Sequence, residues 1–93
     1  MLKVYTNEVI ELSEADKKLY ELGFTKEIDN KRRIDFCSKH FISKTNIISF
    51  DLKRKQLECF IESDSPFTPN EPYKLNLEEI KAITLKCSEL GWW

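Results

Sequence analysis

Glycine occurs only twice in this 93-residue chain, as Gly23 and Gly91. That excludes a glycine-rich phosphate-binding loop, and each glycine instead sits where a helix would stop. Histidine occurs once, as His40. A nucleophile–base pair or a histidine metal site needs partners that no spacing around it supplies, so a solvated strand-end histidine is expected. The cysteines number three, Cys37, Cys59 and Cys87. An odd count without paired spacing speaks against a disulfide framework and a zinc site, and favours free, buried thiols. No apolar run approaches the length of a membrane span. Met1-Leu2-Lys3-Val4-Tyr5 lacks the apolar stretch of a secretory signal, so the expected setting is the reducing cytoplasm. No carboxylate stands alone in an apolar context, as an acid with a raised pKa would. Neither a catalytic residue, a metal site nor a cofactor is expected.

The chain does hold enough apolar residues, at 41% hydrophobic and 12% aromatic, to pack one small domain over residues 1–93. Its charge is uneven although the net is only -1. Residues 1–30 carry four Lys/Arg against seven Asp/Glu, and residues 56–93 carry three against seven. Residues 31–55 carry eight Lys/Arg against two Asp/Glu, a surplus of six positive charges between acidic flanks. Such asymmetry is the one compositional hint of a partner.

Two helices have their ends written into the sequence. Ser13 precedes Glu14-Ala15-Asp16 as an N-cap with acids in the first turn. Ala15, Leu19 and Leu22 make its apolar face, Gly23 stops it, and Phe24 can fold back on Leu19. At the other end of the chain, Asn76 and Glu79 form a capping box, flanked by Leu75 and Ile80 at staple spacing. Leu77, Ile80, Ile83, Cys87 and Leu90 predict the buried stripe of that helix. Gly91 ends it, with Trp92 placed to return toward Cys87; Trp93 reads as either a terminal ring on the core or an exposed anchor.

Between the helices the period changes to two. Residues 24–28, 33–41, 47–52 and 57–61 predict strands, with turns at Asp29-Asn30-Lys31, Ser43-Lys44-Thr45-Asn46 and Lys53-Arg54-Lys55. Connections this short force antiparallel neighbours. The expected fold is α+β: an antiparallel meander of three to five strands, with a short N-terminal helix and a C-terminal helix packed mainly on one face. Residues 2–10 read as weakly strand-like. The inner face is predicted as Phe24, Ile28, Ile34, Phe36, Ile48, Phe50, Leu52, Leu57, Cys59 and Ile61, with Ile47 and Phe60 on the other. Residues 63–75 form a crossover strap. Its Pro66, Pro69 and Pro72 align on one side of a polyproline helix. The strap reads as a stiff spacer in which Phe67 and Tyr73 plug the sheet edge, or as a ligand for an aromatic groove.

A meander alternates its turns between two ends, so the first and third turns should coincide. That gathers Lys31, Arg32 and Arg33 beside Lys53, Arg54 and Lys55, with only Asp29 and Asp51 near them. Six cations on one rim would attract phosphates or an acidic protein surface; solvated hairpin turns are the plainer reading.

The order of helix, Leu22-Gly23-Phe24, charged meander, then Asn76-Leu77-Glu78-Glu79-Ile80-Lys81-Ala82-Ile83 through Cys87-Ser88-Glu89-Leu90-Gly91-Trp92 resembles small uncharacterised proteins of phages and prophages of low-GC Gram-positive bacteria. The resemblance implies a cytoplasmic accessory protein that modulates a host or anti-phage defence enzyme, and it supplies no catalytic residues. The topology also looks like the double-stranded-RNA-binding plan and the toxin ribonucleases of that shape. Those toxins place a histidine after Gly-Ser, whereas this chain reads Cys37-Ser38-Lys39-His40. The expected function is therefore a non-enzymatic protein-interaction module of accessory or inhibitor type, using the six rim cations against an acidic surface or a nucleic-acid-handling enzyme. The alternative is a nucleic-acid-binding module using the same rim, with a ribonuclease using His40 more remote.

Overall fold

The structure is a computed structural model that describes residues 12–92. The strand-like stretch 2–10 and Trp93 lie outside the described residues, as do the side chains of His40 and Phe41. The elements are α1 (Glu14–Glu21), β1 (Thr25–Asp29), β2 (Arg33–Phe41), β3 (Lys44–Asp51), β4 (Gln56–Ser63), β5 (Glu71–Pro72) and α2 (Leu77–Glu89). The sheet order β1-β2-β3-β4-β5 follows the chain and every pairing is antiparallel, so the fold is an α+β meander. Both helices lie on one face. Leu19 of α1 and Ala82, Ile83 and Cys87 of α2 pack on Ile34, Phe36, Ile48 and Phe50.

Both helices end in the same way. Phe24 N donates to Leu19 O at 2.9 Å and Gly23 N to Tyr20 O at 3.0 Å; Trp92 N donates to Cys87 O at 3.0 Å and Gly91 N to Ser88 O at 3.1 Å. These are two Schellman motifs, with Gly23 and Gly91 in the left-handed region at φ 98° and 74°. Each turns an aromatic ring back into the molecule. Phe24 meets Tyr73 edge-on at 6.5 Å, and Trp92 meets Phe50 at 6.1 Å. The starts are capped as the sequence predicts. Ser13 Oγ accepts from Asp16 N at 3.1 Å, and Asn76 and Glu79 exchange two bonds of 2.8 Å.

The buried line of α2 differs from the predicted stripe. Leu77 is 65% exposed and Ile80 45% exposed, whereas Glu79, Ala82, Ile83, Lys86 and Cys87 are buried. Two polar residues cause the rotation. Glu79 is drawn inward by the capping box and by Tyr73, whose hydroxyl donates to Glu79 Oε2 at 2.6 Å. Lys86 is drawn inward by Asp16 of α1, 2.9 Å away. A stripe read from apolar residues alone cannot register polar side chains that are satisfied inside.

The sheet also departs from expectation, and Leu57 of the predicted inner face is 38% exposed. Lys26 pairs with Phe36, but Ile28 pairs with Asp35, because the register shifts between them. The bulge carries Ile28 to the face away from the helices. The second turn is Ile42-Ser43 rather than residues 43–46, with Ser43 at φ 72° and β3 already starting at Lys44. The strap is not a continuous polyproline helix: Thr68 N donates to Ser65 O at 3.2 Å in a turn, and Glu71–Pro72 adds a short fifth strand. Of the two rings expected to plug the sheet edge, Tyr73 packs against the core, and Phe67 is 93% exposed and plugs nothing.

Candidate functional site

The first and third turns lie at one end of the sheet. Arg33 pairs with Asp51 across β2 and β3, and Leu52 N donates to Arg32 O at 2.9 Å. Both turns are built with the same chemistry. Asn30 Oδ1 accepts from Arg32 N and Arg33 N at 2.8 and 3.0 Å. Asp51 Oδ1 accepts from Lys53 N and Arg54 N at 3.1 and 3.0 Å. A side-chain acceptor at the head of each turn fixes the backbone that presents the cations. Lys55 closes the third turn in the left-handed region at φ 56°.

All six predicted residues, Lys31, Arg32, Arg33, Lys53, Arg54 and Lys55, are exposed and stand on these two turns. They are not equivalent. Arg33 points along the face away from the helices and pairs with Asp35 at 3.3 Å. Asp35 is buried, and Ser49 Oγ donates to it at 2.5 Å. Arg33 is therefore partly committed to the sheet. Lys31, Arg32, Lys53, Arg54 and Lys55 form no ion pair among the described residues. Of the acids in the two turns, Asp29 pairs with Lys26 at 3.2 Å and Asp51 accepts from the turn amides. Five cations with no ion pair among the described residues thus share one rim.

The turns enclose a groove of about 610 Å³ that opens on the sheet face away from the helices. Arg32, Arg33, Lys53 and Arg54 line its cationic side, and Ile28 reaches it through the bulge in β1. Glu58 also lines the groove, across from Ser49 on β4. It is exposed and has no ion pair among the described residues. Sequence reasoning located the cations from turn lengths. It missed Glu58, whose place follows only from the register of β3 and β4.

The thiols offer no reactive group beside this rim. All three are unpaired. Burial pushes Cys37 up to about 11, with Glu27, Asp35 and Glu62 adding to it. Burial, and then Glu79, likewise push Cys59 up to about 11. Burial raises Cys87 too. These are the wrong directions for a nucleophilic thiolate. No trio of His, Cys, Asp or Glu among the described residues stands close enough to hold a metal ion. No helix among them is long and apolar enough to cross a membrane.

Comparison with known proteins found no match to a family model, a curated protein or a solved structure.

Proposed function

We propose that this chain is a non-enzymatic interaction module of accessory or inhibitor type, working in the cytoplasm, that grips a protein surface with its basic rim. The observation that carries the proposal is the convergence, on two turns held by Asn30 and Asp51, of five cations that form no ion pair among the described residues. Mutual repulsion among them is relieved when a negative surface docks. The resemblance of the helix-end segments to phage accessory proteins supports the inhibitor form. The raised thiols argue against a cysteine nucleophile.

Glu58 favours a protein over a nucleic acid. A nucleic-acid strand is a continuous polyanion, so a carboxylate between the groove cations opposes its backbone. A protein surface can set acids against the rim and a hydrogen-bond donor against Glu58. The acidic flanks and net charge of -1 also oppose long-range attraction of a polyanion.

Replacing Lys31, Arg32, Lys53 and Arg54 by Glu tests the reading. The variant loses capture of the partner from a lysate of the producing cells, while its melting temperature stays nearly unchanged because exposed turn charges add little to stability. Capture at wild-type strength would reduce the rim to a solvated edge. Binding of a 20-nucleotide strand by the wild type, steeply weakened by salt, would put the nucleic-acid reading in its place.

A further inference from the structure

The end of the sheet opposite the basic rim has its own exposed feature. Ile42 is 95% exposed and Phe67 93% exposed. Ile42 begins the two-residue turn between β2 and β3. The strap leaves β4 beside that turn, where Asp64 N donates to Ser43 O at 2.9 Å.

The backbone that carries Phe67 is held by the turn. Ser65 N donates to Ser63 Oγ at 3.1 Å, and Phe67 N donates to Ser65 Oγ at 3.3 Å. Thr68 N closes the turn on Ser65 O at 3.2 Å. Pro66, at the second position of that turn, has its φ fixed by its ring. The far side of the strap is pinned by the pairing of Ile61 with Glu71 and Phe60 with Pro72. The Lys44–Glu71 ion pair of 2.7 Å adds a further tie. An aromatic side chain with only two torsions, on a fixed backbone, loses little freedom on insertion into a pocket.

We infer that the strap turn is a second docking site, with Phe67 as an anchor that enters an apolar pocket on another protein. Glu62 at the end of β4 and Asp64 at the start of the strap precede the anchor by five and three residues, are exposed, and form no ion pair among the described residues. The pocket that complements them carries Lys or Arg on its rim. The eight residues of β3 separate this site from the basic rim, a span of about 26 Å at the usual strand rise. The two ends therefore address different surfaces, and the chain can bridge them. The inference does not depend on the partner proposed for the basic rim.

The test places p-benzoylphenylalanine at position 67 of the full chain, crosslinks in a lysate of the producing cells, and sequences the attached peptide. The expected result is attachment to one protein, at an apolar residue close in space to Lys or Arg. The yield falls at least tenfold when Glu62→Lys and Asp64→Lys are combined, and falls again with Ser65→Ala and Pro66→Gly, which loosen the turn. The rim reversal at Lys31, Arg32, Lys53 and Arg54 leaves it unchanged. Because all these positions are exposed, an unchanged melting temperature verifies the fold of each variant. Adducts spread over proteins by abundance, adducts to a second copy of this chain, or yields indifferent to the charge reversal would each overturn the inference.

Discussion

Lys86 Nζ lies 2.9 Å from Asp16 Oδ1, with both side chains at least nine-tenths buried, and this bond ties α2 to α1. Lys26 of β1 reaches the other oxygen of Asp16 at 3.0 Å, so one carboxylate joins both helices to the sheet. The Lys86 ammonium also sits 5.9 Å from the centre of the Phe36 ring. Removing one member strands the other charge in the interior. Asp16→Ala and Lys86→Met should each cost about 3–5 kcal/mol in urea unfolding. The apolar pair Asp16→Leu with Lys86→Met should recover most of that loss. Additive losses in the double variant would show that the two residues act independently.

The same network fixes a pH dependence. Burial alone would raise the Asp16 carboxyl, but the hydrogen bonds from Lys86 and Lys26 outweigh it and hold the group below its ordinary 3.8. A lowered folded pKa means stability that is present above 3.8 and lost as pH falls through the folded value. For Lys26, burial lowers the ammonium but Asp16 and Asp29 outweigh that, leaving it above its ordinary 10.5. That contribution is full below 10.5 and is lost as pH rises through the folded value. Melting temperature should therefore decline at both extremes. Asp16→Asn should flatten the acid limb; an unchanged acid limb would place the responsible carboxylates elsewhere.

The face of α2 gives a sharper comparison. Ile83 is 5% exposed and Leu77 is 65% exposed, though both are apolar residues of one helix. Ile83→Ala should cost about 2–4 kcal/mol. Leu77→Ala should stay within about 0.5 kcal/mol. Equal losses at the two positions would mean that Leu77 is covered in solution.

These contrasts show where the sequence was legible. Caps and stops act over three to six residues, so Ser13, Asn76, Gly23 and Gly91 declared both helices without tertiary knowledge. Turn length alone placed Lys31–Arg33 beside Lys53–Lys55. What stayed hidden depends on distant partners. Glu79 turns inward for Tyr73 and Lys86 for Asp16, which shifted the stripe away from Leu77 and Ile80. A bulge between Lys26 and Ile28 moved Ile28 to the opposite face. The Arg33–Asp35 pair and the place of Glu58 follow from register, which alternation alone does not fix.

The thiols provide a check on packing. Cys37 and Cys59 sit near 11 and Cys87 is raised and buried, so few thiolates exist at neutral pH. Alkylation by iodoacetamide at pH 7.5 (~10-fold less thiolate per unit of raised pKa) should be slow in the native state and rapid in denaturant, with three groups modified there. Fast native labelling of Cys87 would show that the contact between α2 and the sheet opens readily.

Glu58 decides between the two partner classes by the sign of one mutational effect. It lines the groove with Arg32, Arg33, Lys53 and Arg54 and forms no ion pair among the described residues. Facing a polyanion, its carboxylate is repulsive. Two unit charges about 6 Å apart at an effective dielectric near 20 repel by roughly 3 kcal/mol, and solvent screening at this open groove cuts that to a fraction. Glu58→Gln should therefore strengthen binding of a 20-nucleotide strand at low salt, and Glu58→Lys should strengthen it further. Facing a protein that sets a donor against the carboxylate, Glu58→Gln should weaken capture, because the donor loses a charged acceptor. Titration of the strand and of the captured protein against wild type and both variants reads both signs in one experiment. Weaker protein capture together with stronger strand binding supports the interaction module. A partner protein held more tightly by Glu58→Lys would mean that its surface at the groove is uniformly acidic, leaving Glu58 with no part in recognition.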